Sequence, residues 1–142
     1  MAQKSYTFDA LLELKDAGAI TADAAATVDS TARIVDLGAA RANGVVVIDV
    51  ASLDVATGDE LYLLKLQGSS SPTFASDVVN LACSIHGDSS VTGASADTTA
   101  GRFELPFTNE QDGTVYRYVR MFTDGTGATA WSINYTAWIA KH

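Results

Sequence analysis

The 142-residue sequence holds one cysteine, Cys83, and only two histidines, His86 and His142. A lone thiol cannot close an intramolecular disulfide, so the fold must rest on buried apolar surface. Structural zinc wants four Cys or His ligands, and these three residues cannot supply them. Basic residues are also scarce: nine Lys and Arg stand against seventeen Asp and Glu, for a net charge of −8. With a pI near 4.4, the chain lacks the clustered cations that bind nucleic-acid phosphates or anionic membranes. No run approaches the roughly 18 apolar residues of a membrane-spanning helix. The start, Met1-Ala2-Gln3-Lys4-Ser5, has no apolar core of signal-peptide type, which sets an expectation of synthesis in the cytoplasm. What is plentiful is hydrophobic content, 47%, beside only 18% charged residues. That composition belongs to a folded chain, and its length to one domain able to bury roughly two-thirds of its unfolded surface.

The apolar residues fall mostly in strand patterns. Val45-Val46-Val47-Ile48-Asp49-Val50 is a continuous β-branched run, as in a strand covered on both faces. Glu60 to Gln67 and Asp77 to His86 are further strands, the second with Val79, Leu81, Cys83 and Ile85 on one face. Arg33 to Gly38 is an earlier, shorter one. Gly101 to Phe107 alternates Phe103, Leu105 and Phe107, and Pro106 places it at a sheet edge. Near the end, the runs Thr114 to Phe122 and Ala130 to Ile139 flank the Gly-rich Thr123 to Gly127, which predicts a hairpin. Trp131, Ile133, Tyr135, Ala137 and Ile139 share one face of its second strand. Trp138 lies off that face. Asp112-Gly113 and Asp124-Gly125 read as tight turns. Gly87 to Ala100, rich in Ser, Thr, Gly, Asp and Ala, reads as a surface loop.

Residues 1–30 differ. Phe8, Leu11 and Leu12 have helical spacing, which predicts about two turns over Phe8 to Lys15. Ala17 to Ala32 has little to bury and reads as an extended arm with a short strand around Ala19 to Thr21. Such an arm either frays or orders on a neighbouring subunit. The expected organisation is an N-terminal arm, 1–30, and one β-sandwich domain, 31–142. About eight short strands with polar turns predict an all-β sandwich, and the number eight suggests a jelly roll.

Catalytic constellations are missing from the pattern. Nucleophilic catalysis needs a base near the nucleophile, and the only histidines are His86, at a strand end, and His142, the last residue. Cys83 lies on the apolar face of its strand, where a small core residue is expected. No Asp run has the spacing of a calcium loop, and Gly125-Thr126-Gly127 is followed by no Lys-Ser/Thr and no helix. The expectation is a protein that is not an enzyme, with no metal and no cofactor. Two aromatics, Trp138 and Tyr62, are the candidates for stacking on a sugar ring, the basis of an alternative reading as a carbohydrate- or receptor-binding module.

Several stretches carry a resemblance. Thr21-Ala22-Asp23-Ala24-Ala25-Ala26-Thr27-Val28-Asp29-Ser30 leads into Ile34-Val35-Asp36-Leu37-Gly38; later come Leu64-Lys65-Leu66-Gln67-Gly68-Ser69-Ser70-Ser71-Pro72-Thr73-Phe74, Gly101-Arg102-Phe103-Glu104-Leu105-Pro106-Phe107 and Tyr116-Arg117-Tyr118-Val119-Arg120. From about Phe8 to Ile139 the chain resembles the small jelly-roll cement, or decoration, proteins on the capsids of tailed bacteriophages, podophages especially. The Asp54 to Gly58 turn and the loop around Gly93 follow no strict family pattern. The resemblance implies a structural virion protein on the outer capsid surface. It would bridge copies of the major capsid protein and pair with itself as a dimer or trimer. Residues expected to meet the capsid or another partner are Tyr6, Phe8, Leu11 and Leu12 in the arm, with Arg117 and Trp138 in the sandwich.

Overall fold

The structure is a computed structural model and describes residues 8–127 and 130–141. A 3₁₀ turn, Ala10–Leu12, precedes five short strands: β1 (Glu13–Lys15), β2 (Ala19–Ile20), β3 (Ala24–Ala25), β4 (Thr27–Val28) and β5 (Thr31–Ala32). Next come β6 (Val35–Asp36), β7 (Asn43–Leu53), β8 (Leu61–Ser69), β9 (Val79–Gly87) and the single-turn helix α1 (Ser89–Thr92). The chain ends with β10 (Gly101–Thr108), β11 (Glu110–Gln111), β12 (Thr114–Val115), β13 (Tyr118–Thr126) and β14 (Ile133–Lys141). One sheet has the order β1-β14-β7-β10, with β2 also on β14. The other has the order β3-β13-β8-β9, with β6 also on β13. All pairings between these strands are antiparallel. Their inner faces meet in one core, which makes the chain an all-β sandwich: Val46, Ile48, Val50, Tyr135 and Ile139 of the first sheet face Tyr62, Leu64, Leu66, Val119 and Met121 of the second.

The continuous run in β7 is buried on both faces, as its sequence requires. Val46, Ile48 and Val50 point into the core, while Val45 and Val47 join Trp138 and Ala140 in a second cluster on the outer face. β14 also keeps its alternation, with Ile133, Tyr135, Ala137 and Ile139 all in the core. Two tyrosines tie the layers together. Tyr135 shares a 2.7 Å hydrogen bond with the Thr123 hydroxyl of the opposite sheet, and burial pushes its phenol up to about 12. Tyr62 donates to the Asp54 carbonyl at 2.6 Å and lies edge-on to Trp131, with ring centroids 5.6 Å apart.

Three local expectations are corrected. The runs around the Gly-rich segment do not form a hairpin. β13 pairs with β8 and β14 with β7, so the connection passes from one sheet to the other. Asp124 and Gly125 continue β13 instead of turning. A β-carbon on Gly125 would lie 2.5 Å from the Trp131 ring, so the glycine serves close packing of that indole. Second, Phe8 to Lys15 is not two turns of helix. One 3₁₀ turn gives way at Glu13 to a strand, because β1 bonds to the free edge of β14. Third, Cys83 is exposed and not a core residue. The register of β8 with β9 shifts at Leu66/Gln67, leaving Leu81 without a partner. The extra residue turns Ala82, Ser84 and His86 inward and Cys83 and Ile85 outward.

The segment after the 3₁₀ turn is more structured than an extended arm. The strand expected near residue 19 is β2, and β3 adds to β13. β4 and β5 form a two-residue hairpin with Asp29 and Ser30 both at positive φ. Asp112-Gly113 is the same kind of turn, as expected, joining β11 to β12. Of the run Arg33 to Gly38, only Val35 and Asp36 enter a ladder. The 87–100 loop carries α1, capped by the Asp88 side chain.

Two buried ionisable groups set the acid stability. His86 is buried against Phe103, centroids 4.4 Å apart, with its Nε2 2.6 Å from Ser84 Oγ. Burial lowers its pKa. For Glu60, burial pushes the pKa up, but hydrogen bonds from the Thr57 hydroxyl and amide outweigh it, and the carboxyl is held below its ordinary value. An unfolded chain protonates its histidine near pH 6.5, while the folded one keeps His86 neutral to lower pH. Below about 6.5 the unfolded state therefore binds more protons and stability falls. Glu60 adds a second loss in the same direction below about 4.5. The expected melting temperature falls in two stages on acidification from neutral pH. His86→Gln, which cannot take up the proton, should remove the first stage and leave the second.

Candidate partner-binding surface

The expected contact residues divide into two groups in space. Phe8, Leu11, Leu12 and Trp138 gather at the outer face and edge of the β1-β14-β7-β10 sheet. The 3₁₀ turn is braced from both ends. The Asp9 carboxylate accepts from the Leu11 amide at 3.0 Å. Arg33 donates to the carbonyls of Glu13, Ala10 and Leu11 at 2.8, 2.9 and 3.0 Å. That bracing turns Leu12 toward the core and holds Leu11 out, 79% exposed. Lys15 fixes the segment further along. Its buried ammonium donates to the carbonyls of Asp16 (2.9 Å), Gly18 (3.0 Å) and Tyr135 (2.7 Å) and sits 4.6 Å from the centroid of the Tyr135 ring. Burial lowers its pKa, against the pull of Asp16. Three carbonyls meet its three donors, which is what a buried ammonium needs when no carboxylate among the described residues pairs with it.

Phe8 packs edge-on against Trp138, with centroids 5.7 Å apart, and remains 51% exposed. Trp138 itself is only 7% exposed. Arg102 lies over its ring at 5.1 Å and is fixed by a two-pronged ion pair with Asp49, at 2.7 and 2.9 Å. Among the described residues, the Trp138 indole nitrogen is the one buried side-chain polar atom without a hydrogen-bond partner. Beside the two rings runs a groove of about 410 Å³, lined by Phe8, Glu13, Lys15, Asp16, Ala17, Thr136, Ala137 and Trp138.

Arg117 is in the other group. It follows β12 near the rim of the second sheet, where it forms a two-pronged ion pair with Asp36 at 2.8 and 2.9 Å and lies 5.4 Å from the Tyr118 ring. The hydrogen bond from Arg117, aided by the Gly38 amide, holds the Asp36 carboxyl below its ordinary range. Tyr6 lies outside the described residues. Both aromatics singled out for sugar stacking are buried: Trp138 beneath Phe8 and Arg102, and Tyr62 wholly in the core. Neither presents an open face.

Sequence reading missed the bracing residues Arg33, Lys15, Arg102 and Asp49. Arg102 and Asp49 lie on neighbouring strands in direct register, so their pairing needs the fold. The one signal for Lys15 was its place one residue after Leu14 at the end of the apolar cluster.

No protein-family model matches the chain, and no curated protein matches it.

Proposed function

We propose that the protein is a structural virion protein, a capsid cement or decoration protein that binds the outer capsid surface. There it bridges neighbouring major capsid proteins and stabilises the shell. The observation that carries this reading is the braced projection at the start of the described chain. Phe8 and Leu11 are large, apolar and exposed, and they stand on a turn whose geometry is fixed by Asp9, Arg33 and Lys15. An apolar knob already held in place loses little freedom on docking, which favours binding. Trp138 acts as the support beneath Phe8, and Leu12 anchors the turn to the core.

Strand order supports the jelly-roll form of the sandwich. Numbering β1, β3, β7, β8, β9, β10, β13 and β14 from one to eight, the sheets read 1-8-3-6 and 2-7-4-5. The acidic surface suits a role outside a shell filled with DNA. Weak individual contacts suffice there, because many symmetric copies act together. A non-catalytic role is supported by burial: Cys83 faces outward, away from His86, and the imidazole that meets Ser84 Oγ is buried against Phe103.

Co-sedimentation with capsid shells lacking the protein tests the reading. Saturable binding at a fixed ratio to the capsid subunits is expected, lost on deletion of residues 1–12. A folded full-length chain that leaves the shells bare, and instead retains on immobilised glycans, would replace the capsid role with the carbohydrate-binding one.

A further inference from the structure

β9 is the open edge of its sheet. It pairs with β8 on one side, and no described strand pairs with its other side. Its backbone orientation follows from the ends. The Asp88 amide donates to the Glu60 carbonyl at 3.0 Å, toward β8. Gly87 turns both its groups the other way, donating to Thr98 Oγ1 at 3.0 Å and accepting from the Thr98 amide at 2.9 Å. Alternation along an antiparallel strand then directs the N–H and C=O of Cys83 and Ile85 outward, away from β8. Toward the other end, Gln111 Nε2 reaches the Asn80 carbonyl at 3.5 Å. Among the described residues, the edge is thus covered at both ends and bare at Cys83 to Ile85.

Bare edges in soluble proteins are guarded by charge, proline, shortness or a covering element. The remaining edges of this sandwich obey that rule. β10 carries Arg102, Glu104 and Pro106, and the strands on the opposite edges, β1, β2, β3 and β6, are two or three residues long. β9 runs for nine residues without an Asp, Glu, Lys or Arg. Its outer face continues the apolar character. Ile85, 59% exposed, lies beside Leu63, and Cys83 lies beside Lys65, whose charge is neutralised by Asp124 at 2.9 Å. On a chain of net charge −8, a neutral edge is where two copies approach with least repulsion.

We propose that β9 is a self-pairing edge: two copies join through antiparallel β9 strands with Ser84 on the two-fold axis. Only this register uses the bare groups alone. Cys83 of each copy exchanges two backbone hydrogen bonds with Ile85 of its partner, four in all, and the two sheets become one. The Cys83 and Ile85 side chains then meet on the shared outer face, so their apolar surface leaves water together. The pairing is isologous and closes at two copies, so it does not propagate into fibres. The resemblance to cement proteins implies pairing as a dimer or trimer but no particular surface; β9 supplies one, on the sheet opposite to the one bearing Phe8.

Sedimentation equilibrium of the full chain under reducing conditions, from about 1 μM to about 1 mM, tests the proposal. The mass should rise from 14.9 kDa toward twice that value. Ile85→Lys and Cys83→Lys each place a charge on an exposed position and should leave the monomer folded. Each should weaken the dimer at least about tenfold, whereas Cys83→Ser should leave it within about twofold. Amide exchange at Cys83 and Ile85 should slow as concentration rises. A chain that stays monomeric throughout overturns the proposal. So does a dimer indifferent to both lysine variants. Protection of the two amides that does not vary with concentration also overturns it, since the chain's own residues would then cover the edge.

Discussion

Gly87→Ala should cost about 3–5 kcal/mol, enough to leave a domain of this size marginal or unfolded at room temperature. Two independent penalties coincide at this residue. Its φ of +142° lies where an L side chain is strained. A β-carbon there would also stand 2.3 Å from the Glu60 carbonyl oxygen and 3.1 Å from the Leu61 α-carbon. Both neighbours are backbone atoms of the adjoining strand, so rotation of a side chain cannot relieve the clash. To accommodate it, the end of β9 would have to separate from β8, at the point where the Asp88 amide bonds Glu60 and the Glu60 carboxylate is buried. Urea unfolding with the midpoint and slope compared against wild type measures the loss. Gly93→Ala is the control. It shares a positive φ but meets nothing within 4 Å, so it should cost only about 1 kcal/mol. Equal costs at the two sites would refute the packing argument.

The second large effect is expected at Trp138. Truncation to alanine should cost about 3–4 kcal/mol, since it removes a nearly buried indole packed with Val45, Val47 and Ala140 and deprives Phe8 and Arg102 of their contact. Trp138→Phe should cost far less, about 1 kcal/mol. It keeps an aromatic face for Phe8 and Arg102 and removes the indole N–H, a buried donor that has no partner. Thermal unfolding of the two variants measures that difference. The alanine variant should also release Phe8, which near-ultraviolet circular dichroism reports as a loss of aromatic signal. A phenylalanine variant as unstable as the alanine one would mean that the indole nitrogen has an essential partner.

The fold class was legible because burial dictates pattern wherever a strand is long. The unbroken run from Val45 to Val50 can only be a strand covered twice, and the alternation from Ile133 to Ile139 assigns its inner face without ambiguity. Pro106 marked β10 as an edge for a reason internal to proline. What could not be read was which sheet each strand joins. Two β runs separated by a glycine-rich segment have the same local appearance in a hairpin and in a crossing between layers. The choice here is made by Trp131, which lies against Gly125 and Tyr62. Cys83 was misplaced for a similar reason: one bulged residue, Leu81, reverses every later side chain of β9, and no residue type announces it.

The candidate surface was legible in part. Apolar residues near the start of the chain stood out, and Phe8 and Trp138 do meet. The difference between Leu11, held out, and Leu12, turned in, depends on an arginine more than twenty residues later that donates to the Leu11 carbonyl. Long-range bracing of this kind leaves no periodic trace. Arg117 is engaged by Asp36 yet keeps 48% of its side chain exposed, whereas Trp138 is covered.

The most direct test of the account is the affinity of Leu11→Asp for capsid shells, measured beside wild type. The Leu11 side chain is 79% exposed and the substitution leaves its bracing backbone groups in place, so the variant should melt within about 1 °C of wild type. If the braced turn is the contact, the charge buried on docking should weaken binding at least about a hundredfold. A variant that decorates shells as tightly as wild type would contradict the account and move the contact away from the N-terminal turn.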